Sequence, residues 1–143
     1  MTPLVQGVVR VLFLPSLVVA TAFCVKGSTG TGDGFSAGLV AAIASSLVLL
    51  AFGLREARRI LPLRHASAAA GIGLLVVVGS AVVPAALDGI PLEHFPRVEA
   101  EVVQLGALAV NSSLLFDAGI AAVVAGGVVF ILERAATVRG REG

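Results

Sequence analysis

Residues Phe35 to Leu54 read FSAGLVAAIASSLVLLAFGL, twenty residues without a charge. A bilayer core about 30 Å thick is crossed by roughly 20 apolar residues in a helix that rises about 1.5 Å per residue. This stretch meets that requirement by itself, and two others join it. Ala66 to Leu87 (ASAAAGIGLLVVVGSAVVPAAL) has twenty-two residues, and Ser113 to Leu132 (SLLFDAGIAAVVAGGVVFIL) has twenty, interrupted only by Asp117. Towards the N-terminus the fifteen uncharged residues between Arg10 and Lys26 are short for a crossing. Extension back to Leu4 supplies the length and leaves Arg10 near the end, where its side chain can snorkel to the headgroups. The reading is an all-α integral membrane protein, a single membrane domain over residues 1–143 with spans at about 4–25, 35–54, 66–87 and 113–132. A signal peptide competes for the first span, because Ala20-Thr21-Ala22 resembles a cleavage site. A short polar stretch and another span follow it, however, and not a soluble domain.

Composition agrees. Hydrophobic residues make up 57% of the chain and charged residues 13%, against about 25% charged in a soluble domain. Mean hydropathy is +1.03. A net charge of +1 and the absence of aromatics interleaved with basic residues give no footprint for nucleic acid. The single cysteine, Cys24, excludes an internal disulfide and a cysteine-based metal site.

The basic residues set a direction. Arg10, the group Arg55, Arg58, Arg59 and Arg64, and the tail residues Arg134, Arg139 and Arg141 fall on one side of a four-span chain, leaving Lys26 and Arg97 on the other. The positive-inside rule makes the crowded side cytoplasmic, with both termini inside (N-in/C-in). An odd number of spans would scatter these charges. The loop from Asp88 to Ser112 then faces out. Its apolar part, Val102 to Val110, is too short to cross and is open to two readings, an interfacial segment or an outward extension of the fourth span.

Few residues suggest chemistry. Asp117 is the acidic residue well inside a predicted span, and such a group is a candidate for an ion path or proton relay by default. Its structural alternative is a residue one turn from the helix end that caps or orients it, with Asn111, Ser112 and Ser113 supplying helix-start hydrogen bonds. The run from Gly27 to Gly34 (GSTGTGDG) is rich in glycine but lacks the Gly-Lys-Ser/Thr ending of a phosphate-binding loop. It reads as a tight connection offering backbone to a partner. His65 and His94 fall on opposite sides of the membrane and share nothing; His65, in the basic loop, suits lipid headgroups. No nucleophile–base set lies on one side at usable depth, so neither covalent catalysis, a metal nor a cofactor is expected. Small residues recur at Ala118, Ala122 and Gly126 and at Ala69 and Gly73, a spacing that lets helices approach closely in lipid.

Two stretches carry a family resemblance. Lys26 to Ala42, with Gly27, Gly32, Gly34 and Phe35, resembles the Gly-His-Asn-x-Pro-Gly-Gly-Gly-Phe-x-x-Gly-Leu signature of the B subunit of multisubunit Mrp-type (Mnh-type) sodium/proton antiporters. The spacing is gapless, although Ser28, Thr31 and Asp33 replace that signature's histidine, proline and one glycine. Asn111 to Ile120, with Leu114, Leu115, Phe116, Asp117 and Gly119, is similar to the family's Thr-x-Leu-Leu-Phe-Asp-x-Gly-Val segment. Ile60 to Arg64 falls where the family has a basic loop before its third span.

The resemblance implies an accessory subunit in a prokaryotic plasma membrane, one of six or seven membrane subunits that exchange Na⁺ for H⁺. It would support assembly and line the cation route, while large subunits hold the main proton path. An equivalent subunit in the ion-translocating module of a membrane-bound hydrogenase-like complex is the alternative. A stand-alone structural membrane protein, self-associating through the small residues, is a third. Partners expected on the leading reading are the other membrane subunits, the lipid bilayer, and Na⁺ and H⁺ as transported ions.

Overall fold

A computed structural model of the chain describes residues 2–26, 33–88, 104–105, 108–109 and 112–139. Four long helices dominate: α1 (Pro3–Lys26), α2 (Asp33–Ile60), α3 (Ala66–Asp88) and α4 (Ser112–Arg139), with a short 3-10 turn at Leu63–His65 before α3. All four are long and apolar enough to cross a membrane, as the composition of each stretch requires. At 28 residues, α2 and α4 are each about 42 Å long, more than the bilayer core needs. The surplus lies at the end where their arginines are.

The helices form a layer in the order α1–α2–α4–α3 and not a closed ring: α4 packs against both α2 and α3, and α1 packs chiefly against α2. Burial follows this order. The inner helix α2 buries Ala37, Gly38, Ala42, Ala44, Val48 and Leu49, whereas the flanking helix α3 exposes Ile72, Leu74, Leu75 and Val78, and α1 exposes Val11, Leu14 and Val18. In water, apolar faces of this extent would aggregate. In a membrane they meet lipid or partner helices.

The two ends are held differently. At the arginine-rich end, Val9, Val48, Leu49, Leu61 and Leu63 form a cluster of buried side chains, with Phe13, Phe52 and Leu132 packed on it. At the other end the helices meet through glycine, as described below. α2 breaks at Gly53, whose φ of 78° and ψ of 169° lie in a region essentially restricted to glycine. The break comes after twenty residues of helix, about one bilayer thickness, and separates the apolar part of α2 from the segment carrying Arg55, Arg58 and Arg59. The Gln6 side-chain amide of α1 donates to the Ala51 carbonyl at 3.1 Å, satisfying an acceptor beside the break. The Arg10 guanidinium lies 6.0 Å from the centre of the Phe52 ring.

Gly53→Ala should therefore destabilise the chain by about 2 kcal/mol through backbone conformation alone, since no atom lies within 4 Å of where its Cβ would sit. Thermal unfolding of the purified chain in detergent measures this. A midpoint equal to wild type would mean that the break is dispensable.

One open reading narrows and one expectation changes. The apolar segment before the fourth span does not extend α4, which begins at Ser112. Instead Gln104–Leu105 (β1) and Leu108–Ala109 (β2) pair antiparallel, with Gln104 opposite Ala109 and Leu105 opposite Leu108. The change is one of register. Ala118 is exposed, and the small residues of α4 that meet α3 are Gly119, Ala122 and Gly126.

Candidate functional site

Asp117 is the sixth residue of α4. It lies past the first turn, in which no acidic residue is found. Its exposure is 2%, and among the described residues it is the one buried polar or charged side chain. A buried carboxyl group is costly to place in an apolar layer. The surrounding backbone explains how it comes to be so enclosed.

Gly34, at the start of α2, lies directly on Asp117: a Cβ at Gly34 would fall on the Asp117 carbonyl oxygen, Cα and carbonyl carbon. One turn further along, a Cβ at Gly38 would meet the Ala121 oxygen at 2.8 Å and the Val124 Cβ at 2.9 Å. On the opposite side of α4, Gly119 faces α3, where a Cβ would come within 2.9 Å of Val77 and 3.1 Å of the Gly73 oxygen. Further along, Gly126 sits on Ala66 and Ala70 in the same way. Asp117 thus lies where α2 and α3 both press closely on α4, with no Cβ to hold them off. The N-terminal end of α2 lies at the depth of this carboxylate.

The two motif segments therefore meet. Gly34, from the glycine-rich stretch, touches Asp117, from the Leu-Leu-Phe-Asp stretch. Within the second stretch, Leu114 and Phe116 are half-buried and Gly119 is buried, whereas Leu115 is exposed. Phe35 is also exposed, at 55%. Leu115 and Phe35 are thus available to lipid or another subunit, while Gly34, Asp117 and Gly119 form the interior of the contact. Gly27, Gly32, Asn111 and His94 lie outside the described residues.

A family model described as a domain related to the MnhB subunit of Na⁺/H⁺ antiporters matches residues 4–130. The chain belongs to the MnhB family. The match spans all of α1 to α3 bar the first residue and α4 beyond Asp117, and it agrees with the family expected from the two motifs. No curated protein matches the chain.

For this MnhB-family chain, Gly38, Gly119 and the Gly53 break complete the picture that the motifs began. Gly38 stands four residues after Gly34, a small-xxx-small spacing that could have marked α2 as the partner of α4. Nothing in the sequence distinguishes the Gly53 break from an ordinary helical glycine. Among the described residues no three His, Cys, Asp or Glu side chains are grouped to hold a metal ion. At this site a carboxyl group enclosed between helices is able to carry a proton or to neutralise a monovalent cation.

Proposed function

We propose that this chain is the MnhB-type accessory subunit of a multisubunit Na⁺/H⁺ antiporter, a single four-span membrane domain in a prokaryotic plasma membrane with both termini in the cytoplasm. The observation that carries the reading is the burial of Asp117 at the meeting of the two family motif segments. An acid enclosed at 2% exposure is maintained against a large desolvation cost, which is the expectation for a group that handles ions or protons. On this reading Asp117 belongs to the cation or proton route, and the glycine contacts hold the helices around it.

The shape supports the accessory role. Four helices in an open layer leave broad apolar flanks on α1 and α3, and other membrane subunits would cover them. The charge pattern supports the N-in/C-in direction. Arg10 of α1 lies by Phe52 of α2, Arg58 of α2 pairs with Glu133 of α4 at 3.0 Å, and Arg134 of α4 lines the same cavity as Arg58, so basic groups of three helices gather at one end, the cytoplasmic one by the positive-inside rule.

The test is to tag the chain, extract it in mild detergent and identify what co-purifies by mass spectrometry. Several large polytopic subunits together with other small ones, and no redox protein, is the expected result. Stoichiometric iron–sulfur or hydrogenase subunits would transfer the chain to a redox-coupled module. Recovery of the chain alone would overturn both.

A further inference from the structure

At the opposite end from Asp117 the structure forms a charged cavity that the antiport reading does not use. It has a volume of about 260 Å³ and is bounded by Arg58, Arg64 and Arg134 together with Ser67, Thr137 and Glu133. Three guanidinium groups and one carboxylate leave an excess of two positive charges. Arg58 is held by Glu133, its Nε and a terminal nitrogen donating to the same Oε1 at 3.3 and 3.0 Å. Arg64 donates from Nε to His65 Nε2 at 2.8 Å, and Arg134 stacks over the Phe130 ring at 5.2 Å. Among the described residues no carboxylate forms a salt bridge with Arg64 or Arg134.

The position of the cavity narrows its ligand. Ser67 lies in the first turn of α3, so the positive end of that helix is at the cavity. Thr137 is near the end of α4, and the cavity therefore lies where the spans leave the apolar layer. Close by on α4, Ile131 and Val138 are 65% and 57% exposed, an apolar surface beside a cationic one. Stabilising the C-terminal dipole of α4 would account for Arg134 by itself, but not for two further arginines contributed by α2 and the turn before α3. Planar guanidinium forks suit phosphate oxygens, and a basic pocket between helices at headgroup depth selects anionic lipid.

We propose that this cavity is a binding site for the phosphodiester headgroup of an anionic phospholipid, with Arg64 and Arg134 as its principal ligands and Glu133 as the group that holds Arg58 in place and weakens the site. The inference does not depend on the antiport reading, because the site is defined by the chain's own helices.

The experiment uses the full-length chain, delipidated in detergent, presented with equal amounts of phosphatidylglycerol and phosphatidylcholine, and retained lipid is counted by native mass spectrometry. Phosphatidylglycerol should be retained over phosphatidylcholine. Arg64→Gln with Arg134→Gln should lower its retention about twenty-five-fold, from about fivefold per arginine at an anionic surface, leaving phosphatidylcholine unchanged. Arg55→Gln with Arg59→Gln removes the same charge outside the cavity and should retain phosphatidylglycerol as wild type does. Glu133→Gln should increase retention, a direction that misfolding does not produce. Equal retention of the two lipids, an equal loss in the control pair, or weaker retention in Glu133→Gln would each overturn the proposal. Release of bound lipid by a large excess of inorganic phosphate would overturn it too, by making the cavity a site for soluble anions.

Discussion

Gly34→Ala is expected to lower the stability of the chain by about 3 kcal/mol, the upper end of ordinary overpacking. The added Cβ would overlap the carbonyl oxygen, Cα and carbonyl carbon of Asp117. All three are backbone atoms of a continuous helix, and they cannot rotate aside as the end of a side chain can. The helices must part at this point, and the separation removes dispersion contacts along the whole α2–α4 seam. Gly38→Ala should follow in the same direction, because its Cβ would meet the Ala121 oxygen at 2.8 Å and Cα at 2.9 Å. Gly71→Ala and Gly79→Ala are the controls, since each has open space around it and alanine is the better helix former by about 1 kcal/mol. Thermal unfolding of the purified variants in detergent is the measurement. If Gly79→Ala falls as far as Gly34→Ala, the loss is a general response to removing glycine, and the close approach of α2 to α4 is not its cause.

Asp117→Asn should leave assembly intact and reduce Na⁺-dependent proton exchange about a hundredfold, the lower end of what loss of a positioned proton carrier costs. Asparagine keeps the volume of the side chain, which matters at 2% exposure, and removes the charge and the proton. The readout is exchange in inverted vesicles, normalised to the amount of complex that co-purifies with a tagged variant. Unchanged exchange by a fully assembled variant would take Asp117 out of the mechanism. Loss of subunits during purification would show that the carboxylate holds the layer together, and that ion transfer proceeds elsewhere. Gly34→Ala links the two experiments. By opening the seam that encloses Asp117 it should reduce exchange even in those complexes that still assemble.

Asp117 stands about one turn inside the helix end both by sequence and in the structure, and its burial shows what a linear reading lacks. Its burial depends on Gly34, some eighty positions earlier, lying against its backbone, and no local pattern announces that pair. The same holds for the register of α4. Ala118, Ala122 and Gly126 form a regular series by spacing, yet Ala118 faces out and Gly119 takes its place against α3. The helices are apolar around most of their circumference, so periodicity, which tells buried from exposed faces in a soluble helix, has little to act on. Gly53 is similarly silent. Its neighbours are ordinary helix formers, and the break appears only as a backbone conformation with Gln6 attending the carbonyl beside it.

Number and class of the helices were determined by the sequence, because the bilayer imposes a minimum length and an apolarity that can be read one segment at a time. The family was determined there too, since Gly34, Phe35 and the stretch from Leu114 to Gly119 keep their spacing whatever the packing. The tertiary structure alone decided that the layer runs α1–α2–α4–α3, that the two motif segments meet at Asp117, and that Arg58, Arg64 and Arg134 bound one cavity. Each of these is a relation between distant parts of the chain. In helices with so little polar patterning, it is set by where absent side chains let two backbones touch.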